Sequence, residues 1–549
     1  MTDEPDGEQP SRRGFLLTTG AVAGAGLLAA CTHPAARPAQ VLARASAPAA
    51  APARRRGGAR TGPAPGAHPT TADWQALRRG LSSQRLLRPG QAGYSRARLL
   101  FDPRFDRQRP AGVAYCRTPA DVALCLSFVH RFAMPVAARS GGHSYAGWSG
   151  TSGLVVDVTE MSSFHLGPGG RTVTVGTGLH LIDFCHRLAA HGLAVPAGSC
   201  PTVGMAGLTL GGGVGVLSRA YGLTCDNLEA LQIVAADGSV LHADGAHHSD
   251  LYWACRGGGG GNFGVATSFT FRTHRLSRLV IFFLSWPWSQ AGRVVDGWQS
   301  WAPHGPDALW SNLHLSAAPG GGAPTVQVGG TYLGSVAGLA SLLDRLYARV
   351  GSAPVNPFIQ ETSFLDAMMI DAGCSGLTVD ECHLPWQAPG GQLTRVPAYA
   401  KSAFYTAKLP AAGIRTLIRG VERLRGVSGA SSGSGGIAFD AFGGALNRVP
   451  AGATAFVHRD ALFLAQYTTG WAAGAPRGRV ASQHAWLRAF YESMRRYASG
   501  QCYQNYIDPE LTDWRQAYYG ANYARLAHVK AVYDPGRLFR FPQAITPGH

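Results

Sequence analysis

Apolar positions along the chain recur at two spacings. Val122, Cys125, Phe128, Val129 and Phe132 fall three or four apart after Thr118-Pro119, which predicts a capped helix with a first-turn proline. Leu181, Phe184, Cys185 and Leu188 repeat that spacing and stop before Gly192, predicting a second helix. Between and after them, Leu154-Val155-Val156 and the alternating Thr172-Val173-Thr174-Val175 predict strands. Ile233 to Ala236 predicts another, running into a hairpin turn at Asp237-Gly238. Beyond about residue 276 the text becomes Trp-rich and alternating. Strands are expected at Ile281 to Trp288, Val326 to Tyr332, Ala403 to Ala407 and Leu462 to Tyr467, with a helix over Val336 to Val350. The Gly/Ser stretch from Gly426 to Gly436 reads as a loop. No internal repeat of fixed period is visible. The pattern predicts an α+β protein whose second part is an antiparallel sheet backed by helices.

With 549 residues, 46% of them hydrophobic, the chain exceeds one core and calls for two or more domains. The net charge of +17 changes little: only Arg54, Arg55 and Arg56 form a basic run, so no nucleic-acid surface is expected. The start of the chain is different in kind. Arg12-Arg13 precede an apolar stretch too short to span a membrane, in a segment 1–31 that resembles a twin-arginine export signal. Leu28-Ala29-Ala30-Cys31 resembles a bacterial lipobox, so the segment ends either in lipidation of Cys31, giving a lipid anchor, or in ordinary cleavage. Residues 32–68 are Ala, Pro, Arg and Gly without apolar periodicity, a tether. No later stretch reaches the roughly eighteen apolar residues of a spanning helix. The expected location is therefore extracellular or in the cell envelope. Setting Cys31 aside leaves an odd number of cysteines, so one has work other than pairing. Cys374 and Cys382 are near enough to staple a loop.

Chemistry concentrates in three glycine-rich loops. The first is Arg139-Ser140-Gly141-Gly142-His143-Ser144-Tyr145. The second runs Gly198-Ser199-Cys200-Pro201-Thr202-Val203-Gly204 and on to Gly215, and the third spans Arg256 to Gly264. No Gly-Lys-Ser/Thr follows, no strand-turn-helix dinucleotide fingerprint surrounds them, and no Gly-x-Ser-x-Gly elbow is present. Small residues let backbone N–H groups approach an anion, so the three loops together predict a cradle for a long, phosphate-bearing cofactor. His130, His186 and His191 show no metal-ligand spacing, and no metal is expected.

These motifs resemble the berberine bridge enzyme-like flavin oxidoreductases of the vanillyl-alcohol oxidase superfamily, with its PCMH-type FAD-binding domain. Arg139 to Ser144 and Cys200 to Gly204 match two family motifs. Tyr221-Gly222-Leu223 with Asp226-Asn227, Gly261 to Val265, Tyr503 to Asp508 and Tyr518 to Asn522 follow in the family's order. The resemblance covers about residues 95 to 549. It implies a flavin domain in two parts, 69–276 and 496–549, around a substrate domain at 277–495. It implies FAD held twice, through His143 at the 8α position and Cys200 at C6. Arg139, Ser140, Gly141, Gly142, Ser144, Val203, Gly204, Gly207, Gly211, Gly212, Gly264, Val265, Asn505 and Asn522 are then the surrounding cofactor residues.

In the family Tyr506 is the catalytic base. A phenol near pKa 10 serves that role only where its surroundings lower the value. Asp440 stands where sugar-oxidising relatives carry an acid. Gln466 matches a pocket glutamine of plant relatives, whose adjacent lysine is Leu464 here. Valine at 203 accompanies oxidases. The implied activity is oxidation of a hydroxyl carbon on a sugar, oligosaccharide or glycosylated metabolite, with O₂ giving H₂O₂. The alternatives are a dehydrogenase passing electrons to a quinone or other acceptor, and a non-catalytic carbohydrate-binding module on the same fold.

Overall fold

The structure, a computed structural model, describes residues 68–427 and 433–548. The twin-arginine stretch, Cys31 and residues 32–67 of the expected tether lie outside them. Three larger sheets organise the described chain. In the first, Gly112–Tyr115, Leu154–Asp157 and Val136–Arg139 run parallel, with Leu86–Leu87 antiparallel at one edge. Parallel neighbours need a crossover, and the helix Pro119–Arg131 supplies one. Thr118 and Asp121 cap it reciprocally, with Pro119 in its first turn. Its buried Val122, Cys125, Leu126 and Val129 share a cluster with Ala114, Leu154 and Val156 of the sheet.

The second sheet is antiparallel, in the order Phe164–Leu166, Thr172–Gly176, Val265–Arg272, Leu228–Val234, Val240–Asp244. The helix Leu181–Ala189 packs on it through Leu181, Phe184 and Leu188, against Phe269 and Phe271. The end of the chain returns to this same core: Trp514, Ala517, Tyr518, Tyr519, Leu526 and Val529 of the helices Trp514–Tyr519 and Tyr523–Tyr533 are buried in it. A fully buried ion pair fixes that return. Lys530 Nζ lies 2.6 Å from Asp534 Oδ2 and also donates to the carbonyls of Asn262 and Phe539. A charge taken out of water is tolerated only with such partners.

The third sheet has seven antiparallel strands, in the order Val355–Ser363, Arg278–Trp286, Thr325–Tyr332, Leu309–Ala317, Gly433–Ala441, Phe463–Trp471, Ala398–Tyr405. Side chains alternate across a strand. Leu313, Leu315, Phe439, Ala465 and Tyr467 enter an apolar core with Val295 and Trp298, Leu343 and Leu346, Leu417 and Val421, and Leu487 and Phe490, contributed by four helices. Asn312, His314, Asp440 and Gln466, one position out of phase, line a cavity on the opposite face. The fold is thus α+β, with an antiparallel sheet backed by helices on one face. Among the described residues no helix is long and apolar enough to cross a membrane.

Two local expectations change. The glycine-rich text expected to be a loop up to Gly436 becomes strand from Gly433, because this segment is hydrogen-bonded on both sides, Gly435 opposite Ala317 and Thr469. Strands Leu309–Ala317 and Val355–Ser363 were not expected at all. The second carries Pro357 and forms the sheet's edge, where a missing N–H costs no ladder bond. Cys374 and Cys382 form the anticipated disulfide.

Candidate active site

A cavity of about 2180 Å³ is lined by all three glycine loops, the polar face of the seven-stranded sheet and the C-terminal segment. His143, Cys200, Tyr506, Asp440 and Gln466 all line it, although they come from five separate parts of the chain.

The first loop leaves the strand Val136–Arg139. Arg139 does not point freely into the cavity: Nε donates to Asp157 Oδ2 at 2.5 Å, on the neighbouring parallel strand. The pair is buried and anchors the loop at its root. Arg139 Nη1 retains no hydrogen-bond partner among the described residues. Ser140 Oγ donates to the Thr177 carbonyl, while Ser144 Oγ accepts from Trp148 N. The first and second loops meet backbone to backbone. A Cβ on Gly141 would lie 2.3 Å from Gly204 N, so a side chain there would push the loops apart.

That contact sets His143. Its ring stacks on Phe101 with centroids 3.9 Å apart, and Nε2 is 2.8 Å from Thr202 Oγ1, within the Cys-Pro-Thr-Val-Gly segment. Burial, followed by the neighbouring His180, lowers its pKa to about 3. The imidazole is therefore neutral and nucleophilic at any physiological pH, with Nδ1 the ring nitrogen left over by the Thr202 bond. Cys200 lines the cavity and is part-buried.

Aromatic and carboxyl groups form the opposite wall. Tyr145 and Tyr506 stack in parallel, with ring centroids 5.7 Å apart. Gln466 Nε2 donates to Tyr145 Oη at 2.8 Å. Tyr503 Oη accepts from Gly213 N and from Asn505 Nδ2, tying the C-terminal segment to the second loop. The pKa of Tyr506 is raised well above 10, by burial first and then by the negative charge of Asp440. This corrects the expectation that its surroundings lower the value. Asp440 itself is pushed up to about 7 by burial and by Asp371, and Asp371 to about 6 by burial, opposed by a hydrogen bond from Ser199. At neutral pH Asp440 is thus about half ionised, so its carboxylate is able to take up a proton.

The remaining expected residues divide. Ser140, Gly142, Val203, Gly204, Gly207, Gly264, Val265 and Asn505 line the cavity. Gly211, Gly212 and Asn522 do not. A Cβ on Gly211 would sit 1.9 Å from Asn505 Oδ1, and one on Gly212 would meet Phe456, so both glycines serve packing behind the wall. Asn522 turns away and donates to the carbonyls of Ala451 and Thr454. Leu464 is fully buried directly opposite Asp440 in the sheet register, so no lysine charge is available there. Phe101, Thr202 and Asp371 were missed. Thr202 and Tyr145 sat inside quoted motifs, but nothing in a linear text shows which ring or nitrogen they contact.

The residues present fit FAD. A Cβ on Gly207 would meet no atom within 4 Å, so this loop leaves open room along the cavity wall for a ligand. Unshielded glycine backbone and the unpartnered Arg139 Nη1 suit phosphate, and the neutral His143 suits attachment to an electron-poor ring.

Comparison with known proteins agrees with this fit. Residues 110–244 match the FAD binding domain family and residues 502–546 the family of berberine and berberine-like proteins. The uncharacterized FAD-linked oxidoreductase YgaK of Bacillus subtilis (strain 168) is 32% identical over 460 residues, covering 83% of this chain and 95% of the relative. The chitooligosaccharide oxidase of Gibberella zeae is 29% identical over 457 residues, 80% of this chain and 87% of its own. Among solved structures, BBE-like 1 of Physcomitrella patens superposes with a TM-score of 0.77 at 31% identity, covering 86% of this chain and 99% of the other. With its glycine cradle, its neutral histidine and this likeness over most of its length, the chain belongs to the berberine bridge enzyme-like family of FAD-linked oxidoreductases.

Proposed function

We propose that this enzyme oxidises a hydroxyl carbon of a sugar, oligosaccharide or glycosylated metabolite, and that O₂ is the final acceptor, giving H₂O₂. The observation that carries the reading is the polar face of the seven-stranded sheet. Ser285, Gln327, His314 and Gln466 line the cavity along one register row, with Asn312 and Asp440 side by side in the next. Closely set amides, an imidazole and carboxyls match a substrate dense in hydroxyl groups, and Phe283, Phe358 and Trp310 add apolar surface for the faces of sugar rings. The chitooligosaccharide oxidase noted above, and a xylooligosaccharide oxidase of Thermothelomyces thermophilus, 30% identical over 454 residues, support this substrate class.

FAD, when bound, supplies the acceptor for the two electrons and the hydrogen leaving the carbon. The hydroxyl proton goes to the chain. Tyr506 accepts a hydrogen bond from the substrate hydroxyl, and Asp440 takes the proton, directly or as Tyr506 passes its own proton on. A phenol whose pKa is raised acts better as this relay than as a standing anion. Gln466 holds Tyr145, whose ring keeps Tyr506 in plane. His143 carries one covalent link, through Nδ1, and Cys200 the second. Val203 at the cavity wall supports oxygen access. We further propose that residues 69–276 and 496–549 form the flavin half and 277–495 the substrate half. Export by the twin-arginine route, to the cell envelope or beyond, completes the proposal, because that route carries proteins already folded around their cofactor.

Holoenzyme reduced by an oligosaccharide without oxygen and then mixed with air tests the reading. Bleaching of the flavin by sugars, then recovery within seconds with stoichiometric H₂O₂, is expected. Recovery over minutes, with rapid transfer to a quinone, would make it a dehydrogenase; no bleaching by any sugar or alcohol would overturn the substrate class.

A further inference from the structure

The helix Leu181–Ala189 begins at His180, whose side chain makes no capping hydrogen bond. The ring turns instead toward Asp183, one helical turn on, with Nδ1 3.7 Å from Oδ2. A third group arrives from 200 residues away: His383 Nε2 lies 3.1 Å from the same carboxylate oxygen. Ligand atoms of the three lie within 4.8 Å of one another. His180 and His383 are buried, and Asp183 keeps 30% of its side chain exposed.

Two features distinguish this group from a chance cluster. His383 Nδ1 is 2.8 Å from the Val379 carbonyl, which only accepts, so Nδ1 carries a proton and Nε2 is the ring nitrogen that faces Asp183, where either a second proton or a cation must lie between them. An imidazole N–H given to a backbone carbonyl is also the device that orients metal-bound histidines. Two of the three spacings suit a metal too. Tetrahedral Zn²⁺ with bonds of about 2.0–2.1 Å sets its ligand atoms roughly 3.3 Å apart, between the 3.1 and 3.7 Å from the two histidines to Asp183, and the two imidazoles, within 4.8 Å of each other, close to that spacing on binding. Two imidazoles and one carboxylate select Zn²⁺ over Ca²⁺ or Mg²⁺, which prefer oxygen. The open edge at Asp183 leaves the fourth place to water.

We propose that His180, Asp183 and His383 bind one Zn²⁺ that clamps the disulfide-bearing loop of residues 374–393 onto the helix Leu181–Ala189. His383 follows Cys382, so the Cys374–Cys382 bridge holds the third ligand in place. Directly beneath, Ile182, Phe101, Cys374, Cys382 and Leu384 share one apolar cluster, and Phe101 stacks on His143. The clamp therefore supports the floor under the cofactor-attachment histidine. Gln387 is the residue that must adjust. Its Nε2 faces His180 Nε2 at 3.2 Å while its Oε1 accepts from Leu384 N. A metal on His180 Nδ1 moves the ring proton to Nε2, and the Gln387 amide then turns its oxygen to receive it.

Full-length, tag-free holoprotein, stripped with a chelator and dialysed, is titrated with Zn²⁺ and analysed by elemental mass spectrometry. One Zn²⁺ per chain is expected, together with the visible bands of four-coordinate Co²⁺ on substitution and a rise in Tm. His383→Gln and Asp183→Asn should each weaken Zn²⁺ at least tenfold and abolish the Co²⁺ bands, while His247→Gln, at the exposed His247–Asp244 pair, changes neither. Near-UV circular dichroism confirms that a variant is folded, and if His383→Gln is not, His180→Gln takes its place. Stoichiometry well below one, or binding unchanged in the folded variants, would overturn the proposal and leave His383 as a protonated partner of Asp183.

Discussion

Replacing Asp440 by Asn removes the carboxyl from the cavity wall while keeping its shape. The structure assigns Asp440 a pKa of about 7 against an ordinary 3.8, by burial and then by Asp371. If its carboxylate receives the substrate proton, the rate of flavin reduction follows its ionised fraction. The wild-type rate should rise with pH, reach half its plateau near pH 7 and fall about tenfold per unit below it, to roughly 1% at pH 5. Asp440→Asn should lose about 10²–10⁴ at the plateau and lose that limb. The same group has a measurable cost to stability. A folded pKa raised above the unfolded one stabilises below the unfolded value, and that contribution is lost as pH rises through about 7. Three units correspond to about 4 kcal/mol, an upper value because water in the cavity screens the charge. Asp440→Asn should therefore be more stable than wild type at pH 8 and similar to it at pH 4. Anaerobic stopped-flow absorbance over pH 5–9, with urea melts at pH 4 and pH 8, measures both effects. A plateau within threefold of wild type, or an acidic limb surviving in the variant, would refute the assignment.

Tyr506→Phe should slow flavin reduction by about 10²–10⁴ with FAD still bound, and near-normal bleaching in stopped-flow would remove the phenol from the proton path. Acid-precipitated wild-type protein should give a yellow pellet after washing. His143→Ala and Cys200→Ala should each keep the colour through the other link, and the double variant should release FAD to the supernatant; a colourless wild-type pellet would exclude covalent attachment. Lys530→Ala strands the fully buried Asp534 carboxyl, and should cost about 3–5 kcal/mol in urea unfolding; a loss below about 1 kcal/mol would mean that the pair does not hold the C-terminal return.

Much of the architecture was legible without coordinates, because it follows from local rules. The spacing of Val122, Cys125 and Val129 after Thr118-Pro119 allows a helix with one buried face, and the cap and first-turn proline form there as read, with Asp121 completing a reciprocal cap. Alternation along Val326 to Tyr332 and Leu462 to Tyr467 names the sheet strands, and glycine loops free of competing motifs point to backbone around a phosphate-bearing group. What the linear text could not contain is adjacency between distant segments and the electrostatics it creates. Gly433-Ser434-Gly435-Gly436 looks like a loop until strands on both sides hydrogen-bond it. Gly211 looks like part of the cradle until Asn505 occupies the space beside it. Tyr506 looks like a phenol of lowered pKa until burial and the Asp440 charge push that pKa up. His180 and Asp183 read as an ordinary helix start until a loop 200 residues away sets His383 against them. Local propensity depends on a few neighbours in sequence, whereas a pKa, a ligand set or a cavity wall depends on every group within several ångströms, and only the folded chain decides which groups those are.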